Sequence, residues 1–188
     1  MNKISSRFKQ TMKRLLMVTS ILPLFLMVFS TASWAEEGNA RNERSEVPDF
    51  TLQTLNGDRI SLSDLEGEIV VISFWATWCV PCLEELPYIE AFQREYGEQG
   101  VEVLAISTDG PETMSQVRSV VRRNRWTMNI LLDQDSAVSS LLNPHNATPY
   151  TMIVDRQGRL AYDHEGYTAG VEVEYREQLE RILAEPGE

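Results

Sequence analysis

The chain holds two cysteines, three positions apart in Trp78-Cys79-Val80-Pro81-Cys82. A disulfide across so short a loop removes little entropy from the unfolded chain, so the pair reads as chemistry rather than as a staple. Its setting sharpens that reading. Ile69 to Trp75, almost wholly apolar or β-branched, precedes it as a buried strand, and Cys82, Leu86, Ile89, Phe92 and Tyr96 follow at helical spacing. Cys79 therefore stands at a helix N-terminus, where unpaired N–H groups and partial positive charge stabilise a thiolate. Cys82 lies one turn further in, placed to attack a mixed disulfide formed at Cys79. The expectation is an exposed nucleophile, Cys79, with a shielded resolving thiol, Cys82, behind it.

Glu85 falls three positions after Cys82, on the same helical face, whereas Glu84 points elsewhere. Buried below the sulfurs, its carboxyl would be pushed above the usual range and could carry the proton that Cys82 gains or loses. Solvated charge is the plainer alternative from the residues alone. A C-x-x-C pair is also half of a zinc site, but structural zinc takes four ligands. Besides the methionines only His145 and His164 remain, each isolated and read as a loop or strand-end residue, so no resident metal and no cofactor is expected. Cu(I) is the soft ion that two thiolates would suit transiently.

The elements that must position these residues follow from pattern. Phe50 to Leu52 and Arg59 to Leu62 flank Asn56-Gly57, which predicts a hairpin, and Ser61 to Leu65 makes one helical turn. After the long helix, which Gly97 and Gly100 end, the reading gives a strand at Val101 to Ser107 and a helix opened by Pro111. A strand at Met128 to Leu132 and a short helix at Ser136 to Leu142 come next. Strands at Tyr150 to Asp155 and Arg159 to Asp163 join through Arg156-Gln157-Gly158, and a helix spans Val173 to Ala184. Alternating strands and helices with a terminal hairpin and helix indicate an α/β three-layer domain around a mixed sheet.

At the N-terminus, Lys3, Arg7, Lys9, Lys13 and Arg14 precede an apolar run from about Leu15 to Ala32, then Ser33-Trp34-Ala35. That is the pattern of an export signal cleaved after Ala35, with an uncleaved anchor as the alternative and no following cysteine for a lipid anchor. Residues 36–46 read as a flexible leader and residues 47–188 as one domain. Loss of residues 1–35 takes the net charge from −11 to −16 and removes every lysine. So acidic a surface argues against nucleic acid and anionic lipid as partners.

The stretch Phe74-Trp75-Ala76-Thr77-Trp78-Cys79-Val80-Pro81-Cys82, with Glu85-Leu86-Pro87 after it, resembles the TlpA/ResA/CcmG group of membrane-associated bacterial thioredoxin-like proteins, in the redoxin (AhpC/TSA) superfamily. Val47-Pro48-Asp49-Phe50-Thr51-Leu52, Ser61-Leu62-Ser63-Asp64-Leu65 and Ala147-Thr148-Pro149 are similar to other landmarks of that group, and the resemblance covers roughly residues 47–184. It implies a thioredoxin-like fold with an N-terminal β-hairpin and the group's extra helix and strand. It also implies a cis-proline at Pro149 facing the disulfide, with Thr148 offering backbone groups to an extended peptide. An acid at the Glu85 position serves as proton carrier in that group. Trp78 either shields the disulfide or packs against the core. With Val80, Pro81, Thr148 and Pro149 it completes the expected substrate-binding set.

The function so implied is a monomeric, periplasmic or otherwise extracytoplasmic thiol-disulfide oxidoreductase that reduces specific client disulfides. The clients would be apocytochrome c or a copper-assembly factor, and the electrons would come from a membrane donor of the DsbD or CcdA kind. Two rivals use the same thiols. A copper-binding chaperone would add a histidine. A thiol peroxidase would need Pro-x-x-x-Thr/Ser-x-x-Cys, but Ile72 and Ala76 stand at the two defining positions before Cys79.

Overall fold

A computed structural model describes residues 44–186; the segment read as an export signal and most of the expected leader lie outside the described residues. Seven strands form one sheet in the order β2-β1-β5-β4-β3-β6-β7. They are β1 (Thr51–Thr54), β2 (Arg59–Ser61), β3 (Ile69–Trp75), β4 (Val101–Ser107), β5 (Asn129–Leu132), β6 (Tyr150–Val154) and β7 (Leu160–Glu165). β3, β4 and β5 run parallel at the centre, while β1, β2, β6 and β7 pair antiparallel, so the sheet is mixed. The helices are α1 (Val80–Tyr96), α2 (Met114–Asn124), α3 (Ala137–Leu142) and α4 (Val171–Leu183). Among the described residues no helix is long and apolar enough to cross a membrane.

Every residue of β3 is buried, as a strand covered on both faces requires. Alternation then sorts the side chains. Ile69, Val71 and Trp75 join Leu86, Ile89 and Phe92 of α1, Val117 and Val120 of α2, and Tyr175, Leu179 and Ile182 of α4 in one core. Val70, Ile72 and Phe74 face the opposite layer with Phe50, Leu52, Leu62, Val138, Leu142 and Tyr150. This is the expected three-layer, thioredoxin-like arrangement, with α1, α2 and α4 on one face and short α3 with the Leu62–Leu65 turn on the other.

The elements match the sequence expectation to within a few residues, and the shifts have local causes. Gly57, at φ +102°, supplies the hairpin turn between β1 and β2, and Gly100, at φ +81°, turns the chain from α1 into β4. Pro111 opens a single 3₁₀ turn, Pro111–Thr113, before α2 begins at Met114. The folded unit reaches back to Arg44, ahead of the start at residue 47 read from composition. Glu46 bridges to Arg159, and the Arg44 guanidinium donates to Asp155 at 2.9 Å and to Glu185 at 2.6 and 2.8 Å. A short polar segment has no periodicity by which such ties could be anticipated.

Candidate active site

The parallel strands β3 and β4 end side by side, Trp75 opposite Ser107, and the loop leaving β3 carries Ala76-Thr77-Trp78-Cys79 into α1. Asp109, just past the end of β4 and 2% exposed, clamps this loop. Its carboxylate accepts from the Thr77 N–H at 2.8 Å, the Thr77 hydroxyl at 2.6 Å and the Ser107 hydroxyl at 3.0 Å. Nothing in the local pattern singles out Asp109. Its signal is positional: a short acid two residues beyond one parallel strand lies level with the loop after its neighbour.

Cys79 is the N-cap of α1, and its Sγ accepts the Cys82 N–H at 3.2 Å. An N–H aimed at sulfur, with Pro81 carrying no donor of its own in the first turn, is what stabilises negative charge there once the bond is reduced. The two sulfurs are joined, with S–S 2.06 Å and Cα–Cα 5.3 Å. Cys82 is fully buried, as its place one turn inside the helix requires. Cys79 is not the open sulfur expected from sequence: it is 4% exposed, because its side chain turns in toward the helix end and Cys82. The exposed surface belongs instead to its neighbours, Trp78 at 69% and Val80 at 65%, and to Pro81. Trp78 therefore does not pack into the core.

Glu85 is 0% exposed, on the inward face of α1 one turn beyond Cys82. Three hydroxyls surround its carboxyl. Tyr175 of α4 donates to Oε1 at 2.8 Å, Thr151 of β6 to Oε1 at 3.0 Å, and Ser73 of β3 to Oε2 at 3.2 Å. Burial pushes the carboxyl above its ordinary range, and the three hydroxyls oppose the shift without reversing it. A buried carboxyl with an elevated proton affinity, one helical turn from a buried thiol, is chemically suited to take up and return that thiol's proton. The solvated alternative for Glu85 is excluded by its burial.

The Thr148–Pro149 peptide bond is cis, as the resemblance implied. Because Tyr150 pairs with Phe74, Pro149 stands level with Trp75, at the end of β3 from which the cysteine loop departs. Pro149 is buried and Thr148 partly so. Asn143, 2% exposed, shapes the approach by accepting from Ala147 N–H at 3.0 Å and donating to its carbonyl at 2.7 Å. The Pro149 carbonyl is bonded by the Gly166 N–H at 2.8 Å. His145 contacts Glu165 at the surface. His164 is not isolated: it pairs with Thr151 across β6 and β7 and lies edge-on to Tyr175, with ring centroids 5.8 Å apart.

Residues 44–163 match the model of the AhpC/TSA family. The chain is 34% identical to the thioredoxin-like protein YneN of Bacillus subtilis over 138 residues, covering 73% of this chain and 80% of that one. It is 34% identical to the thiol-disulfide oxidoreductase ResA of Geobacillus kaustophilus over 153 residues, covering 79% and 85%. Among solved structures, a thioredoxin-like protein from Porphyromonas gingivalis superposes with a TM-score of 0.64 at 30% identity, over 78% of this chain and 97% of that one. A putative thiol:disulfide interchange protein DsbE from Chlorobium tepidum superposes at 0.70 with 24% identity, over 76% and 99%, a likeness of fold. The chain belongs to the AhpC/TSA family and is a thiol-disulfide oxidoreductase of thioredoxin-like fold.

Proposed function

We propose that this AhpC/TSA-family oxidoreductase is exported and works outside the cytoplasm as a reductant of a narrow set of client protein disulfides. The observation that carries the reading is the recessed sulfur: Cys79 is 4% exposed, while its chain neighbours Trp78 and Val80 project into solvent. A client must fit that surface before exchange can occur, which favours few clients over many. The basic and apolar N-terminal segment supports export. Apocytochrome c haem-attachment sites and copper-assembly factors are the proposed clients, with a membrane dithiol donor of the DsbD or CcdA kind.

In the reaction, reduced Cys79 attacks one sulfur of the client disulfide as thiolate, and the client's other sulfur leaves as thiolate. Cys82 then gives its proton to the Glu85 carboxylate and attacks Cys79 Sγ. The Cys79–Cys82 bond forms, the second client sulfur leaves, and two electrons have passed to the client. Donor thiols later reduce Cys79–Cys82 by the reverse exchange, with Glu85 returning the proton. Trp78, Val80, Pro81, Thr148 and Pro149 hold the client strand, by side-chain contact and strand-like backbone pairing. A peroxidase reading lacks its hydroxyl, since Ala76 stands where Thr or Ser is needed.

The test is trapping. Cys82→Ser expressed in native cells should accumulate mixed disulfides through Cys79, and Cys79→Ser should form none and show no turnover. Full multi-turnover activity in Cys82→Ser would refute the two-thiol mechanism. Tight anaerobic Cu(I) binding without any disulfide reduction would favour the copper chaperone instead.

A further inference from the structure

Tyr175 reaches the acid beneath the thiols from an element that carries neither cysteine. It lies on the C-terminal helix α4, is 0% exposed, and donates to Glu85 Oε1 at 2.8 Å. Its ring is held edge-on by Tyr162, at 6.0 Å between centroids, and by His164, at 5.8 Å, both on β7. Apolar packing alone would be met by phenylalanine, whereas a fully buried hydroxyl needs a partner, and here that partner is the carboxyl.

We infer that Tyr175 is a positioning residue for thiol-disulfide exchange: its hydroxyl fixes the Glu85 carboxyl in place and governs the pH at which that carboxyl takes the Cys82 proton. The inference rests on the proposed role of Glu85 as proton carrier. A hydroxyl bonds a carboxylate more strongly than a neutral carboxyl, so the Tyr175 bond favours the charged form and opposes burial. Burial and the neighbouring acid push the Tyr175 phenol far up, so it stays protonated and remains a donor throughout the working range.

The surroundings leave few other controls. β3 and β6 contribute the Ser73 and Thr151 hydroxyls, β7 contributes Tyr162 and His164, α4 contributes Glu174 beside Tyr162, and α1 contributes Cys82 itself. Among the described residues no arginine donates to Glu85. Its proton affinity is therefore set by burial against hydroxyl donors, of which Tyr175 makes the shortest bond.

The experiment follows closure of a preformed mixed disulfide. Reduced protein is mixed with oxidised glutathione, and conversion of the Cys79–glutathione adduct to Cys79–Cys82 is timed from pH 4.5 to 9.5 by acid quench and mass spectrometry. The wild-type rate should show an inflection from Glu85, absent in Glu85→Gln. In Tyr175→Phe the inflection should persist but move up by about one pH unit, a tenfold rise in proton affinity, slowing closure below it. A Tyr175→Phe profile superimposed on wild type would overturn the inference. So would an unchanged Glu85→Gln profile, which removes the proton carrier, whereas an adduct that never closes in wild type would refute the two-thiol reading itself. Should Tyr175→Phe not fold, carbon-13 shifts in the wild type decide: Glu85 Cδ and Tyr175 Cζ should titrate together, and a flat Tyr175 signal would overturn the proposal.

Discussion

Replacing Glu85 by glutamine in the disulfide form should change how stability depends on pH, with a sign fixed by the structure. The Glu85 carboxyl is raised above its ordinary 4.5 chiefly by burial, so the folded protein holds its proton after the unfolded chain has released it. Below the unfolded value both states are protonated and the group contributes nothing. Between the unfolded and folded values the folded state binds one more proton, so stability falls as pH rises, by about 1.4 kcal/mol per unit. Above the folded value the loss is complete and constant. Glutamine cannot ionise, and its carbonyl still accepts from Tyr175 and Thr151 while its amide donates to Ser73. Its own imperfect fit adds an offset of about 1 to 2 kcal/mol that does not vary with pH. Chemical denaturation of both oxidised proteins from pH 4 to 9 reads the difference, and the disulfide keeps both thiols out of the titration. Wild type minus variant should descend with that slope from just above pH 4.5 and then level off, the total fall measuring the shift. In melting temperature the descent is about 4 to 6 °C per unit for a domain of this size. A flat difference would mean that the folded carboxyl ionises like any solvated one, and the proton-carrier role would fall with it.

Asp109→Ala should leave the buried Ser107 hydroxyl and the Thr77 N–H without their acceptor, costing about 2 to 3 kcal/mol by denaturation and slowing closure of the mixed disulfide as the cysteine loop loosens. Full stability together with unchanged closure would show that Asp109 does not hold the loop. Trp78→Ala should do the reverse: because the indole is 69% exposed, stability should stay within about 0.5 kcal/mol while kcat/KM for a client protein drops about tenfold or more. Equal loss toward glutathione disulfide and toward the client would count against a docking role.

Most of the frame was legible because its signals are local. β3 announced itself as a seven-residue run apolar or β-branched at every position but Ser73, and α1 by a stripe from Cys82 to Tyr96 that the structure buries position by position. The hairpin turn followed from Asn56-Gly57. What stayed hidden depends on partners far along the chain. Glu90 looks like one more helical charge, yet it is 4% exposed and accepts from the Thr127 hydroxyl at 2.8 Å and the Met128 N–H at 3.1 Å, tying α1 to the start of β5. Arg44 looked like leader because its carboxylate partners, Asp155 and Glu185, come more than a hundred residues later. The low exposure of Cys79 escaped notice for a related reason. Helix position predicts which sulfur is nearer the surface, but not how the preceding loop folds, and that loop is set by Asp109.

The acid site shows how far alternation carries and where it stops. Ile69, Val71 and Trp75 face α1, so Ser73, sharing their parity, faces it too. Pairing carries the same parity to Thr151 on β6, and from there to Tyr162 and His164 on β7. Two of the three hydroxyls around Glu85 are thus a consequence of strand register once the sheet order is known. The third is not, because Tyr175 belongs to a helix whose placement over the sheet depends on packing across the whole domain. Its ring must slot between Tyr162 and His164 before its hydroxyl can reach the acid. The proton affinity of the acid beneath the thiols is therefore coupled to the docking of the last helix. Loosening α4 by breaking the 2.7 Å bond from Tyr96 to Glu180 should move the Glu85 titration in the same direction as removing the Tyr175 hydroxyl, and by less. A Tyr96→Phe variant whose closure profile shifts down instead would separate helix docking from the chemistry.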